Sequence, residues 1–221
     1  MRLKFHGLVE KMLIKKGAEA SLYLETWHGR KAIFKKRLEK KYRVPELDRE
    51  IRIQRTKHEP SIIHKAKEAG VPTPIIYSID LASTTIVMEF VEGKRLKEIL
   101  DQVSSEKRRE LCRCIGRFVG KLHKAGIIHG DLTTSNMILT PMGRIVFIDF
   151  GLSEQSFDLE DRGVDIHLMK RALLSTHYMH AKECFNSIIE GYVEVMGEDE
   201  AKKVLCKVEE IEKRGRYVSN R

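Results

Sequence analysis

Long apolar runs are missing from this 221-residue chain, and with them any segment able to span a bilayer. No window supplies the roughly 18 uncharged apolar residues that crossing requires, which points to a cytoplasmic protein without a membrane partner. Cysteine is scarce. The four present, Cys112, Cys114, Cys184 and Cys206, show no CxxC spacing and no neighbouring histidine cluster. Neither a disulfide framework nor a zinc site organises the fold, and the thiols read as ordinary ones. Repeats and low-complexity tracts are also lacking. Acidic residues are outnumbered, 32 against 41 Lys and Arg, for a net charge of +9. Clustered cations gain affinity for phosphates by counterion release, so the excess points to an anionic partner as well as to solvated surface.

What is present is enough apolar residue, 42%, to offset chain entropy in one two-lobed soluble unit. Strand-like alternation marks Ser21-Leu22-Tyr23-Leu24-Glu25-Thr26-Trp27 and Lys31-Ala32-Ile33-Phe34-Lys35. The composition turns helical between Leu47 and Ala69, is broken by Gly70-Val71-Pro72-Thr73-Pro74, and resumes as strands near 75–81 and 84–90. Val91-Glu92-Gly93 is a connector. Beyond it Leu111, Ile115, Phe118, Val119 and Leu122 recur at helical spacing, with Ser104 or Ser105 as N-cap and Gly126 as a stop. Two more amphipathic helices carry Phe185 to Val193, ended by Gly197, and Ala201 to Ile211.

The chemistry concentrates in His129-Gly130-Asp131-Leu132-Thr133-Thr134-Ser135-Asn136, followed by the strand-like 144–148 and Asp149-Phe150-Gly151. In this order and spacing the two strings match the catalytic loop and DFG segment of kinases. Phosphoryl transfer needs a carboxylate to orient or accept the proton of the nucleophile, the role of Asp131. It also needs metal ions between the outer phosphates. Asn136 and Asp149 supply the hard oxygens that Mg2+ prefers. Upstream, Ala32-Ile33-Phe34-Lys35 is similar to the strand whose lysine holds the ATP phosphates, and alternation turns Lys36 to the opposite face. An acidic partner for Lys35 is offered by Glu46, Glu50 and Glu59. We take Glu59, with Glu50 as the alternative, and expect Pro60 to begin, bend or break the helix there.

The loop over the phosphates precedes that strand, in Ile14-Lys15-Lys16-Gly17-Ala18-Glu19-Ala20-Ser21-Leu22. It has one glycine where common kinases have three, so another arrangement than the usual glycine cradle must grip the phosphates. The nucleotide-binding set is Ile14, Gly17, Ala18, Glu19, Ala20, Ser21, Leu22, Lys35 and Glu59, with Met88, Glu89, Phe90 and Val91 where the last strand meets the connector. Gly130 stands where many kinases carry arginine, which argues against switching by a phosphorylated loop. Thr133 replaces a lysine near the transferred phosphate, which predicts slow transfer or hydrolysis. Residues 152–221 hold no Ala-Pro-Glu segment, leaving no room for a full peptide-docking platform.

Gly17-Ala18-Glu19-Ala20, Lys41-Tyr42-Arg43-Val44-Pro45-Glu46-Leu47-Asp48 and the 129–136 string together resemble the PRPK-type atypical kinases, the RIO-related kinase subunit of the KEOPS complex. The likeness runs from about residue 8 to the basic tail. It implies an α+β, minimal bilobal protein-kinase-like fold: a β-rich N-lobe over 1–91, a reduced helical C-lobe over 92–212, and a basic tail over 213–221. It further implies an ATP- and Mg2+-dependent serine/threonine kinase and ATPase serving threonylcarbamoylation of tRNA adenosine. Its partners would be other KEOPS subunits, above all the threonylcarbamoyl-transferring one, and tRNA held by basic patches and the tail. The 160–165 segment resembles that family's short helix after DFG, with Asp161 and Asp165 either steadying the catalytic loop or serving as first-turn acids. Two other readings stand beside this one: a small-molecule kinase of the aminoglycoside-phosphotransferase kind, and a nucleotide-sensing module without productive transfer.

Overall fold

The computed structural model describes residues 12–218, with side chains described through residue 214. Two compact units divide the chain: residues up to Ser61 together with Pro74–Phe90, and Ile62–Thr73 together with Val91 onward.

The first unit is built on strands β1 (Met12–Lys16), β2 (Ala20–Trp27), β3 (Arg30–Arg37), β4 (Ile76–Asp80) and β5 (Thr85–Glu89). They form one antiparallel sheet in the order β1-β2-β3-β5-β4. Strands β2 and β3 are closed by His28-Gly29, both at positive φ (47° and 78°), the two-residue turn whose twist suits a hairpin. That register sets Lys35 on the central strand between Leu22 and Ile86. Alternation then buries Lys35 and Arg37 and exposes Lys36. Helix α1 (Pro45–Glu68) starts with proline in its first turn and acids Glu46 and Asp48, and ends in Lys65 and Lys67 before Gly70 at φ 78°.

α1 runs without a break through Pro60. The expected start or break there is absent because other terms outweigh a cost of about 3 kcal/mol for an interior proline. Ile62, Ile63 and Ala66 beyond it are almost wholly buried, and Glu59 just before it is fixed by two ion pairs. The division between the units falls within this helix: its residues to Ser61 belong to the first, and those from Ile62 to the second.

In the second unit, β6 (Lys94–Arg95), α2 (Leu96–Ile99) and α3 (Ser105–Lys124) lead into β7 (Ile127–Ile128). Ser104 caps α3 by accepting from Lys107 N at 3.2 Å. A 3-10 turn (Thr134–Asn136), β8 (Met137–Leu139), β9 (Ile145–Phe147) and β10 (Glu154–Gln155) follow. They pair as β6-β8-β9 and β7-β10. Helices α4 (Leu159–Thr176), α5 (Ala181–Met196) and α6 (Glu198–Val218) complete the chain. The helix after DFG is thus a long one. The segment 213–218 continues α6 instead of forming a separate tail, and 219–221 lie outside the described residues.

The tightest contact in this unit is α3 on α5. A Cβ on Gly116 would stand 1.8 Å from the Ile188 carbonyl oxygen, and one on Gly191 1.9 Å from that of Arg113. Only glycine lets the two backbones approach this closely. Ile115, Val119, Leu122, Ile188 and Tyr192, each wholly buried, seal the contact. Arg108 and Glu183 pair at 3.0 Å at one end of it.

Candidate functional site

In the first unit Lys35 Nζ donates to Glu59 Oε1 at 2.6 Å. Arg37, two residues on and so on the same face of β3, donates from Nη2 to Glu59 Oε2 at 2.7 Å and to the Arg55 carbonyl at 3.1 Å. Glu59 is 1% exposed, and one carboxylate there faces two cations. Glu50 lies exposed on α1 and Glu46 in its first turn. Arg37 went unnoticed in the sequence, although its two-residue offset from Lys35 is the signal that places it.

The glycine-poor loop between β1 and β2 is held both from within and from outside. Gly17 N donates to the Ala20 carbonyl at 2.9 Å, Lys40 Nζ to the Ala18 carbonyl, and Leu38 N to the Glu19 carbonyl at 2.9 Å. Glu19 meets Arg55 of α1 at 2.5 Å. Partial burial pushes the Glu19 carboxyl up, but the Arg55 hydrogen bond and charge, with Arg37 and Lys40, outweigh it and hold the group below the ordinary carboxylate range. Lys40 and Arg55 therefore fix this loop from the elements beside it. Of the other residues assigned to the nucleotide, Ile14 is exposed on β1, while Ala20, Ser21 and Leu22 open β2. Met88 and Glu89 end β5, where Glu89 Oε2 accepts from Ile75 N at 3.0 Å. Phe90 follows and lies under Lys31 at 5.9 Å. Val91 begins the second unit.

In the second unit β7 delivers His129-Gly130-Asp131, and the 3-10 turn delivers Asn136. Asn136 Nδ2 donates to Asp131 Oδ2 at 2.8 Å and to the Asp131 carbonyl at 3.0 Å. That orientation leaves Oδ1 of Asn136 for a metal. Asp149 follows β9 at φ 63°, a left-handed conformation that is costly for a non-glycine residue. Phe150 is wholly buried, with its ring 4.7 Å from that of His129. Burial drives the His129 imidazole below its ordinary pKa, against the opposing pull of Asp165, Asp131 and Asp149.

Asp165 of α4 braces this loop. Its Oδ2 accepts from His129 N and its Oδ1 from Gly130 N, each at 2.9 Å, and His123 Nε2 lies 3.2 Å from Oδ2. It is wholly buried, so it belongs to the loop and not to the solvated first turn. Asp161 instead accepts from Ser156 Oγ at 2.5 Å, close to the start of α4. Gly130 is at φ 77°, and a Cβ on it would stand 2.3 Å from the Leu152 carbonyl oxygen. The glycine that takes the place of an arginine is therefore required by the backbone.

Among the described residues no group of three or more His, Cys, Asp or Glu is poised to hold a metal. A magnesium ion of the phosphoryl-transfer type needs no such cage. It keeps waters and substrate phosphates and takes one or two protein oxygens, so Asn136 Oδ1 and the Asp149 carboxylate fit it. Among the described residues no helix is long and apolar enough to cross a membrane.

The family model described as RIO domain matches residues 24–181. KEOPS complex subunit Bud32 of Pyrococcus abyssi is 48% identical over 211 residues, covering 93% of this chain and 96% of that one. A probable serine/threonine-protein kinase BUD32 homolog of Archaeoglobus fulgidus is 42% identical over 186 residues, 84% of this chain and 88% of its own. A probable bifunctional tRNA threonylcarbamoyladenosine biosynthesis protein of Methanothermobacter thermautotrophicus is 45% identical over 93% of this chain, which spans 36% of that longer protein. Among solved structures, the Rio2 kinase of Chaetomium thermophilum in its ADP/Mg2+-phosphoaspartate complex is similar at TM-score 0.61 and 16% identity, over 90% of this chain and 70% of that one. That last likeness bears on the fold alone.

Proposed function

Because this chain belongs to the RIO domain family of atypical kinases, in its Bud32 branch, we propose that it is the ATP-dependent kinase and ATPase subunit of a KEOPS complex supporting threonylcarbamoyladenosine formation in tRNA. The observation that carries this reading is 48% identity over nearly the full length of a KEOPS Bud32 subunit, in a chain whose Asn136 amide hydrogen-bonds the Asp131 carboxylate.

In this reading Asp131 orients the attacking hydroxyl or water and accepts its proton, and Asn136 and Asp149 hold Mg2+ on the phosphates of ATP. The metal supplies charge neutralisation between those phosphates. Lys35 holds the phosphates from β3, with Glu59 steadying its ammonium. Residues 14–22 cover the phosphates and Met88 to Val91 bind the rest of the nucleotide. With Thr133 in the lysine's place, hydrolysis competes with transfer. The partners are the other KEOPS subunits, especially the threonylcarbamoyl-transferring one, and tRNA bound through basic patches, in the cytoplasm.

The test is turnover of γ-labelled ATP with Mg2+, alone and with partner subunits and tRNA, following label into phosphate, protein and RNA. Label released by the wild-type chain and lost in Asp131→Ala supports the assignment. Equal signal from the variant removes Asp131 as the base.

A further inference from the structure

One arrangement joins the catalytic loop to the end of α4 and to the turn after α2. Asp101, in the turn after α2, places Oδ2 2.9 Å from His177 Nδ1. His177, which ends α4, places Nε2 2.9 Å from Thr134 Oγ1 in the 3-10 turn. His177 and Thr134 are each 1% exposed, while Asp101 is half open to water. The Asp101 contact is short but off the line of a good hydrogen bond, so it acts on His177 mainly through charge.

We propose that His177 is a positioning residue for the catalytic loop, holding the 3-10 turn through Thr134 so that Asn136 presents its side-chain oxygen to the metal. The proposal rests on the roles given above to Asn136 and Asp131. The carboxylate of Asp101 favours the tautomer with the proton on Nδ1. Nε2 is then a lone-pair acceptor and the Thr134 hydroxyl donates to it, which fixes the hydroxyl rotor in a place water does not reach. Thr134 is the first residue of the turn, and Asn136 the last. Asn136 N donates to the Thr133 carbonyl at 3.0 Å, and Ile148 N to the Asn136 carbonyl at 2.9 Å. The backbone of Asn136 is thereby tied on both sides, and its side chain to Asp131. A displacement of the turn passes directly to both groups, and a misplacement of about 1 Å at a reacting centre costs on the order of a hundredfold in rate.

A merely structural role for His177 would lower thermal stability without changing metal binding. The discriminating readout is therefore Mn2+ affinity of the full chain in the presence of ADP, followed by electron paramagnetic resonance. It is paired with the Mg2+ dependence of γ-labelled ATP turnover. His177→Leu and Thr134→Val should each weaken Mn2+ binding about tenfold and raise the half-saturating Mg2+ concentration to match. The double variant should lose no more than either single one, since both break one contact. His177→Gln, whose amide oxygen can accept from Thr134, should recover to within about threefold of wild type. Cys184→Ala, a buried change on α5, should lower stability and leave Mn2+ affinity unchanged. Wild-type Mn2+ affinity in His177→Leu, multiplicative losses in the double variant, or an equal loss in Cys184→Ala overturns the proposal. Undiminished turnover in Asp131→Ala would instead defeat the functional reading, and the Mn2+ measurements would still decide the role of His177.

Discussion

Lys35 and Glu59 meet at 2.6 Å in a setting where the carboxylate is 1% exposed and its second oxygen is already taken by Arg37. Two cations on one buried anion leave no spare negative charge. Removing Glu59 would leave Lys35 and Arg37 close together in a poorly solvated place without the anion that separates them. Glu59→Ala is expected to cost about 3–5 kcal/mol of stability, the usual loss when one partner of a buried pair is deleted. Glu50→Ala, at an exposed position on the same helix, should stay within about 0.5 kcal/mol. Chemical denaturation of the two variants, side by side, checks this.

The brace on the catalytic loop can be removed without touching a proposed reacting group. Asp165→Ala leaves the His129 and Gly130 amides without their acceptor, at a cost of about 1–3 kcal/mol for each buried orphan. ATP turnover should fall at least a hundredfold, by the same sensitivity to placement. Asp161→Ala, which loses only the Ser156 contact, should keep turnover within about threefold of wild type under identical assay conditions.

Much of this was legible in the sequence, and the part that was not has a common cause. The period of α3, its Ser104 cap, the β2–β3 alternation and the 129–136 and 149–151 strings are local patterns. Each is set by residues within a few turns or strands of one another. The partners of those residues are not local: Arg37 reaches a glutamate 22 positions away, and which of the two roles open to Asp165 is the right one is decided by amides 35 and 36 positions back. The resemblance implies a short helix after DFG, and nothing in the pattern of α4 announces its full length, because its apolar residues are not confined to one face. Val164 and Leu174 are exposed while Asp165 is buried. Pro60 misled for the complementary reason, since propensity describes the helix alone and tertiary burial decides it.

The β1–β2 loop, which we propose covers the phosphates, is held by two side chains outside it. Arg55→Ala removes the ion pair with Glu19, and Lys40→Ala the donor to the Ala18 carbonyl. Each should raise the KM for ATP severalfold with a smaller change in kcat, because ordering of the loop precedes chemistry. Steady-state kinetics at saturating Mg2+ separates the two parameters. A fall in kcat at unchanged KM would move both residues from nucleotide capture to the transition state.

The α3–α5 contact has an acid-sensitive end. The Ser105 hydroxyl bonds Glu183, and Arg108 and Arg109 stand beside it, so that despite some burial its carboxyl is held below the ordinary value of 4.5. A carboxyl depressed in the folded state binds protons more weakly there than in the unfolded chain. Its contribution is complete above about pH 4.5 and is lost as pH falls through the lower folded value. Glu183→Gln should therefore be less stable than wild type at neutral pH, with the gap narrowing as acid is added. Urea midpoints measured down a pH series give the comparison.

At the glycines of that contact, Gly116→Ala should be far more costly than an overpacked core position, beyond about 3 kcal/mol, since the obstacle is the Ile188 backbone and not a side chain that can turn aside. Gly143→Ala has open space around it and pays only for its left-handed φ of 75°, about 1 kcal/mol. Denaturant midpoints of the pair measure the difference.

Gly130 sets a limit on redesign. An engineer wishing to give this protein the covalent on-switch of signalling kinases would begin by restoring the arginine that reads a phosphorylated loop. At φ 77°, with the Leu152 carbonyl 2.3 Å from where the first side-chain carbon would go, that exchange has no room. The segment through Leu152 would have to be rebuilt first, so a phosphate-gated version is several coordinated changes away and not one. Control imposed by a bound neighbour needs none of them.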